Sequence, residues 1–467
     1  MSKKTTVISQ EDLQRQYSFC SRIEAYWHDR DITPKAYVET YGCQQNEADS
    51  ETLRGLLSQS GYAMTDTAEG ADVVIMNTCA IREHAEQRVF GNLGALTHTK
   101  RRHPGQKIFL CGCMAGQEHV VQRIKKSYPH VDGVFSTHHL WQFPELLYRV
   151  LNTGKRTYFT EDEAGSIAEG LPHLRDNTLK AWVSIMYGCN NFCTYCIVPY
   201  VRGRERSRKS ADILAECRGL VENGCKDITL LGQNVNSYGK DLDENMDFAD
   251  LLQAISQIPG DFRIRFMTSH PRDASHKLFD TMASSPKIAK QLHLPFQSGS
   301  SRVLKAMNRH YDREQYLEKV NYAKNLMPDL VLTSDVIVGF PGETAEEFEE
   351  TLSLISQVHY DSLFTFIFSP RAGTPAASMD DPTPKEEKNA RFDRLCALQN
   401  TISEEIHRGY VGKRLRCLVD GQDKDLLTAR TEGGRLVRFR GEKDLIGNFV
   451  DLTITGATTW SLTGVKE

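Results

Sequence analysis

The stretch Trp182-Val-Ser-Ile-Met-Tyr187-Gly-Cys189-Asn-Asn-Phe-Cys193-Thr-Tyr-Cys196 runs an apolar strand straight into a loop whose three cysteines are spaced C-x3-C-x2-C. No fourth cysteine completes the set nearby. Thiolates are soft ligands that suit iron–sulfur clusters, zinc or copper(I). A structural zinc wants four closed ligands, and a cubane 4Fe-4S cluster takes four cysteines when fully ligated. Three cysteines in one loop therefore point to a cubane with one iron left open to a small molecule. A zinc knuckle short of one ligand, or three unrelated thiols, are the plainer readings.

Outward from this loop, strand and helix alternate for six units. The apolar runs are Trp182–Tyr187, Ile228–Leu231, Ile264–Thr268, Gln291–Pro295, Val331–Val338 and Leu363–Phe368. Amphipathic stretches such as Asp212–Glu222 and Glu314–Leu326 lie between them, and Ala345–Val358 follows the N-cap candidate Thr344. Six such units predict a partial (β/α)6 barrel of the TIM type, whose functional residues belong at strand C-terminal ends. Those ends are polar: Gly232-Gln-Asn-Val-Asn236, Ser269-His-Pro271, Gln297-Ser-Gly-Ser300, and Ser334-Asp335 leading to Gly339-Phe-Pro-Gly-Glu343. Each alone is what a loop looks like; together at successive strand ends they read as a ligand-binding ring. The run Val201-Arg-Gly-Arg-Glu-Arg-Ser-Arg-Lys209 reads either as a solvated face or as an anion clamp, since arginine holds phosphate and carboxylate bidentately.

Upstream, three segments repeat one plan of apolar run, cysteine and helical stretch. They are Ala36–Cys43 followed by 46–60, Asp72–Cys79 followed by 81–96, and Lys107–Cys113 followed by 117–126. Strands alternating with helices at this spacing predict a Rossmann-like parallel sheet. Ligands collect at the edge where parallel strands end, so Cys43, Cys79 and Cys113 are expected to converge as a second three-thiolate site. Buried structural thiols are the bland alternative. Cys111, two residues before Cys113, is expected on the same strand face, but the repeated Gly-Cys pairing favours Cys113. Cys20, Cys217, Cys225, Cys396 and Cys417 lack partner spacing and read as ordinary thiols.

The chain has 467 residues, 40% hydrophobic and 25% charged, with a net charge of −4. That is ordinary for a globular protein and excludes a strongly basic nucleic-acid binder overall. No run approaches the roughly 20 apolar residues needed to span a bilayer, and the first residues lack a signal core, so no membrane is expected and the location is read as cytoplasmic. With 12 cysteines and no small disulfide scaffold, metal chemistry is the better expectation. Residues 1–35 carry a possible helix over Glu11–His28 and read as an appendage. After a helical stretch near Glu386–His407, short β-branched runs alternate with Gly/Asp turns over 409–467, which reads as a small antiparallel β-barrel. This segment has ten Lys and Arg against eight Asp and Glu. Arg414 with Arg416, and Arg438 with Arg440, share strand faces and suggest nucleic-acid backbone contact; a module that merely closes the barrel is the alternative.

The cysteine loop resembles the signature of radical S-adenosylmethionine (SAM) enzymes, in which the open iron chelates the amino and carboxylate groups of SAM. Reductive cleavage there yields a 5′-deoxyadenosyl radical. The full order, a three-cysteine α/β domain, a radical SAM barrel and a TRAM-like β-barrel, resembles the methylthiotransferases over essentially everything after residue 35. Thr40-Tyr-Gly-Cys-Gln-Gln-Asn-Glu-Ala-Asp-Ser-Glu51, Asn77-Thr-Cys-Ala-Ile-Arg-Glu83 and Ser300-Ser-Arg-Val-Leu-Lys-Ala-Met-Asn308 look like the branch that forms 2-methylthio-N6-dimethylallyladenosine in tRNA. The stretch before residue 35 lies outside the shared pattern.

The resemblance implies an α/β multidomain chain: a 1–35 extension, a 36–165 α/β domain, a 175–405 radical SAM barrel and a 408–467 TRAM domain. It implies a radical SAM cluster on Cys189, Cys193 and Cys196, and an auxiliary cluster on Cys43, Cys79 and Cys113. Two SAM molecules would be used, one to methylate a sulfur held at the auxiliary cluster and one to make the radical. Tyr195 is expected against the adenine of SAM, with Gln233, Asn234, Ser269, Gln297, Ser334 and Asp335 around the rest. Arg206, Arg208, Arg414, Arg416, Arg438 and Arg440 are the candidate RNA contacts. Beyond the cluster ligands no catalytic residue is assigned. Implied partners are the tRNA anticodon stem-loop, an electron donor such as flavodoxin or ferredoxin, and Fe–S or sulfur delivery proteins. The same chemistry on threonylcarbamoyladenosine tRNA or on a ribosomal protein stays open, as does, from another class, a non-catalytic Fe–S RNA-binding sensor.

Overall fold

A computed structural model of the chain describes residues 6–80, 83–160 and 165–466. The chain forms two compact units. One comprises residues up to Asp176 with Ser184–Asn190 and Cys196–Arg208; the other comprises Asn177–Val183, Asn191–Tyr195 and Lys209 onward.

The first unit is built on a six-stranded sheet in the order Ala63–Met64, Lys35–Thr40, Val73–Thr78, Lys107–Gly112, Gly133–Phe135 and Thr157–Phe159. Every neighbouring pair is parallel. All six residues of Val73–Thr78 are buried, as expected of a near-continuous apolar strand covered on both faces. The strand Lys35–Thr40 pairs with Ala63–Met64 on one side and Val73–Thr78 on the other, so the chain order reverses there, where doubly wound sheets open a crevice.

Helices Gln44–Gln59 and Glu118–Ser127 lie within two residues of where periodicity places them, Glu83–Arg102 runs six residues beyond the expected end at Leu96, and Phe143–Thr153 is a further helix that the sequence reading did not place. Ile81 and Arg82, expected to begin the helix that ends at Arg102, lie outside the described residues. The N-terminal helix corrects an expectation. It spans Gln10–His28, with the Ser9 hydroxyl accepting the Asp12 N–H, and it is no appendage. Leu13, Phe19, Cys20 and Ile23 are buried, and Ile23 sits in the same core as Leu56, Phe109 and Leu146. Burying a side chain of that size contributes about 1.5–3 kcal/mol, which is why a stretch with weak periodicity still packs.

In the second unit, Lys180–Ser184, Asp227–Leu231 and Arg263–Phe266 form one three-stranded sheet, and Gln291–His293, Val331–Val338 and Ser362–Ile367 another. A parallel bridge from Ile264 to Ile288 links them into an open six-strand array. Helices Ser210–Glu222, Phe248–Ser256, His276–Ser284, Arg313–Leu326 and Ala345–Val358 alternate with the strands. The first strand stops at Ser184, short of the expected Tyr187. Met186–Tyr187 instead pair antiparallel with Arg206–Ser207, and the Ile185 carbonyl takes the Arg208 N–H. The backbone groups that would have continued the strand thus close the base of the cysteine loop.

Helix Lys385–Arg408 leads into a closed five-stranded barrel of Arg414–Asp423, Leu426–Arg430, Leu436–Phe439, Phe449–Ala457 and Leu462–Val465. This barrel sits on the N-terminal ends of the six strands, opposite the ends that carry the polar motifs. Arg263, the first residue of its strand, donates to the carbonyls of Arg416, Arg430 and Thr431. Arg265 donates to the carbonyls of Thr431 and Glu432 while paired at 3.0 Å with buried Asp227. Asp361 pairs with Arg435, and Lys180 with Asp420 at 2.5 Å. Burial pulls the Arg263 guanidinium down to about 10. The small barrel does close one end of the larger array, through buried cations on carbonyl oxygens.

Arg265→Ala leaves Asp227 buried without its cation and is expected to destabilise the chain by about 3–5 kcal/mol. Urea unfolding of the metal-free protein checks this, with the exposed-pair variant Arg408→Ala expected to change stability by under about 1 kcal/mol.

Candidate metal centres and ligand site

Three adjacent strands of the first unit deliver Cys43, Cys79 and Cys113 just beyond Thr40, Thr78 and Gly112. Cys43 is the N-cap of helix Gln44–Gln59. A Cβ on Gly42 would lie 2.9 Å from the Cys79 Cβ, so the first two segments pass in contact. The Cys113 N–H bonds the Thr78 carbonyl at 2.8 Å, tying the second segment to the third. Behind them is a buried amide network that the sequence reading missed. Asn46 Nδ2 donates to Asn77 Oδ1 and the Thr78 carbonyl, while Asn77 Nδ2 donates to the Asn46 carbonyl and Ser50 Oγ.

Gly112 corrects the placement of Cys111. Its φ of +92° ends the strand's alternation, and a Cβ there would lie 2.3 Å from the Thr78 carbonyl oxygen. Cys111 therefore packs with Phe109 and Phe135, whereas Cys113 lies in the core of the other sheet face with Leu110 and Met114. The two thiols do not share a side.

The residue that does reach Cys113 is Arg202. Its Nε donates to Cys113 Sγ at 3.2 Å and its Nη2 to Asp49 Oδ2 at 2.8 Å, with the side chain 5% exposed. Burial pushes the Cys113 thiol up and the Arg202 charge opposes it. Among the described residues no group of three or more His, Cys, Asp or Glu is arranged to hold a metal ion. A cubane gives each thiolate its own iron and spreads its ligands wider than a single ion does. Soft sulfur ligands with a buried guanidinium at one of them, Cys113, suit an anionic cluster.

Cys189 and Cys196 belong to the first unit and Cys193 to the second. In the first, the Cys189 N–H bonds the Gly203 carbonyl at 3.1 Å. In the second, Asn191–Tyr195 is clamped by the segment that carries Ser300–Asn308. Asn308 Nδ2 donates to the carbonyls of Asn191 and Phe192, the Thr194 N–H to the Met307 carbonyl, and Thr194 Oγ1 to the Ala306 carbonyl. Arg309 then places Nη1 3.4 Å from Cys193 Sγ. Cys193 is buried and Cys196 half-buried.

At the strand C-terminal ends the polar ring divides into two kinds of residue. Asn234 Oδ1, Asn236 Oδ1, Ser269 Oγ and His270 Nε2 are buried atoms without a hydrogen-bond partner. Burying an unpaired polar atom costs about 1–3 kcal/mol, and four near one strand edge fit a polar ligand such as SAM. Asn236 and His270 were in the quoted motifs but were not singled out. Burial, with Arg309 and Arg272 nearby, holds His270 well below the ordinary imidazole range, so it is neutral. Gln233 is half-buried at the same edge. Ser334 is the correction: fully buried, its hydroxyl donates to the Leu294 carbonyl at 2.8 Å and accepts the Phe296 N–H at 2.9 Å. It bridges two strands where Pro295 interrupts the ladder. Gln297, at φ +70°, is held by its backbone between Asp335 and Ile337. Asp335 lies 3.6 Å from His293 Nε2. Tyr195 packs against the cluster of Val303, Met307, Ile337 and Phe340. In the following loop, burial pushes Glu343 up to about 7 against the pull of the Gly339 N–H and Arg391.

Residues 35–136 match the family described as Uncharacterized protein family UPF0004, 183–355 the Radical SAM superfamily and 408–466 the TRAM domain. The chain is 48% identical to the tRNA-2-methylthio-N(6)-dimethylallyladenosine synthase of Acetivibrio thermocellus, over 99% of this chain and 98% of that relative. The protein of the same name from Alkaliphilus oremlandii is 49% identical over 99% of each. The chain belongs to this synthase family. Among solved structures, the radical S-adenosylmethionine methyltransferase TsrM from Kitasatospora setae, with cobalamin and a [4Fe-4S] cluster bound, is similar in fold. Its TM-score is 0.54 at 13% identity, over 74% of this chain and 77% of that one.

For a synthase of this family the basic side chains matter as RNA contacts, and two of those expected are otherwise engaged. Arg208 is 9% exposed, bonded to both oxygens of Glu169 at 2.7 Å and to the Ser184 carbonyl. Arg206 is 8% exposed and bonds the carbonyls of Arg202 and Arg204. Both are internal ties, because the run that carries them folds back into the first unit. On the small barrel Arg414 pairs with Asp451, Arg438 with Asp423, and Arg416 with Asp261 while lying 4.0 Å over the Phe449 ring. Exposed pairs are worth about 0–1 kcal/mol, so phosphate can displace them. Arg440 is exposed and has no ion-pair partner among the described residues. Trp460, 74% exposed in the turn before the last strand, was not singled out.

Ser334→Ala is expected to lower stability by about 1–2 kcal/mol and to leave SAM affinity unchanged, whereas Asn234→Ala is expected to weaken SAM binding. Denaturant unfolding and equilibrium binding of SAM to the reconstituted protein separate the two.

Proposed function

We infer that the protein converts N6-dimethylallyladenosine in tRNA, at the adenosine 3′ of the anticodon, to its 2-methylthio form as a radical SAM methylthiotransferase. The observation that carries this is the full-length relationship to synthases of that name, at 48% and 49% identity. The reading assigns one 4Fe-4S cluster to Cys189, Cys193 and Cys196 and a second to Cys43, Cys79 and Cys113. When bound with SAM, the clusters supply one-electron chemistry and a sulfur donor site, which C2 of adenine requires because acid–base groups do not readily remove its unactivated hydrogen.

The protein's own residues then have definite tasks. Asn308, Thr194 and Arg309 hold the Asn191–Tyr195 part of the cysteine loop in one conformation. Asn234, Asn236, Ser269 and His270 offer neutral donors and acceptors to the polar groups of SAM. His270 is kept unprotonated by its burial, with the cations Arg309 and Arg272 adding to it, so it presents imidazole rather than imidazolium. The Asn46–Asn77 network fixes the spacing of the auxiliary thiols. Single-stranded loop bases are read by stacking and edge contacts, and the target base must leave its stack to reach a strand end. Arg440 and Trp460 are the proposed RNA contacts on the small barrel, as a phosphate partner and a stacking platform. Electrons come from a small reductant of the flavodoxin or ferredoxin type, and Fe–S or sulfur delivery proteins restore the donor site.

A tRNA substrate is favoured over a ribosomal protein because the relatives are named for tRNA. The test is nucleoside mass spectrometry of tRNA from a deletion strain, which should lack the methylthio form and regain it with the wild-type gene. Unchanged tRNA with a ribosomal protein lacking methylthio would overturn the assignment.

Cys79→Ala is expected to keep 5′-deoxyadenosine production and lose methylthio product. Cys193→Ala is expected to lose 5′-deoxyadenosine. Each should carry about four irons fewer than wild type by the cubane count. Trp460→Ala is expected to weaken stem-loop binding by about 1–3 kcal/mol, measured by fluorescence titration.

A further inference from the structure

We propose that Arg202 is a positioning residue for the auxiliary cluster, donating a charge-assisted hydrogen bond to the Cys113 thiolate and thereby raising that cluster's reduction potential. The proposal rests on the reading that Cys43, Cys79 and Cys113 hold a cluster.

Arg202 lies six residues after Cys196, at the C-cap of the short helix Val198–Val201. Ile197 and Val201 of this segment are buried with Leu110, Cys113 and Met114 in one core. The segment is thus packed in place, and the guanidinium has no freedom to sweep elsewhere. Its two edges are used differently. Nη2 meets Asp49 Oδ2 at 2.8 Å, and Nε points at Cys113 Sγ from 3.2 Å. Asp49 is itself braced: Gln45 Nε2 donates to Asp49 Oδ1 at 3.3 Å and to Ser184 Oγ at 2.8 Å. A carboxylate held from behind orients the guanidinium, and the guanidinium orients the sulfur.

A buried cation needs compensation in place, because desolvating it costs several kcal/mol. One carboxylate and one thiolate supply that compensation here. Hydrogen bonds to ligand sulfur and local net charge are two levers that set cluster potentials, and such outer partners also fix ligand orientation. Charge-assisted bonds are about twice as strong as neutral ones. Arg202 donates to a ligand of this trio at 3.2 Å, while Arg206 and Arg208 of the same run are turned to carbonyls and to Glu169. A purely architectural Arg202–Asp49 pair would hold the fold and leave the potential alone.

The test is an EPR-monitored redox titration of the anaerobically reconstituted full chain, wild type against Arg202→Met, Arg202→Lys and Asp49→Asn, with iron and sulfide counted per chain. In Arg202→Met the auxiliary midpoint should fall below wild type, and in Arg202→Lys it should lie between the two because lysine keeps the charge but not the fork. In Asp49→Asn it should rise, since the cation loses its counter-charge. The midpoint of the other cluster should stay put in all three. An Arg202→Met midpoint equal to wild type overturns the proposal. If that variant takes up no auxiliary cluster, unchanged midpoints in both Arg202→Lys and Asp49→Asn overturn it. A wild-type chain with only about four irons fails the two-cluster reading instead, so the two failures are distinguishable.

Discussion

Parallel strands end at one edge, and that constraint organises the first unit. Lys35–Thr40, Val73–Thr78 and Lys107–Gly112 are hydrogen-bonded neighbours in register. Neighbouring strands lie about 4.7–4.9 Å apart, so residues just past their ends are brought together however distant they are in sequence. Cys43, Cys79 and Cys113 each follow the end of one of these strands. The Asn46–Asn77 amides and the Cys113–Thr78 backbone bond then lock the three ends together. The chain order also reverses at Lys35–Thr40, the first of these three strands.

Buried guanidinium groups are the second recurring device. Arg263 and Arg265 seat the small barrel on carbonyl oxygens at one end of the six-strand array. Arg309 meets Cys193 at the other end. Arg202 does the same for Cys113 in the first unit. Each cation has its acceptors within reach, which is the condition for burying one. The plane and fixed fork of arginine let a single side chain join a backbone carbonyl or carboxylate to a sulfur, a geometry that lysine does not offer.

Sequence reasoning located the elements where the signal was periodic, as in the strand–helix alternation of both units. Strand–helix alternation, the C-x3-C-x2-C loop and the repeated strand-then-cysteine plan are local in sequence. It faltered where backbone turns or packing decided. Cys111 and Cys113 share a nominal strand parity, but a positive φ at Gly112 parts them. The N-terminal helix reads as an appendage on composition yet buries Ile23 in a core it shares with residues far along the chain. Ser334 has the residue type and position of a ligand contact, but its hydroxyl bridges two strands.

The Val201–Lys209 run shows the division most plainly. Its composition establishes that arginines are present, and nothing in their spacing ranks one above another. Folding sends Arg206 to carbonyls, Arg208 to Glu169 and Arg202 to a cysteine. By itself the sequence determined the two cysteine trios, the order of the three modules and the chemistry that soft ligands imply, because ligand type and periodicity are carried by residues close together along the chain. Only the tertiary structure decided which charges are exposed, which polar atoms lack a partner and which arginine touches sulfur. Those depend on distances between segments remote in sequence, which are set when the cores close.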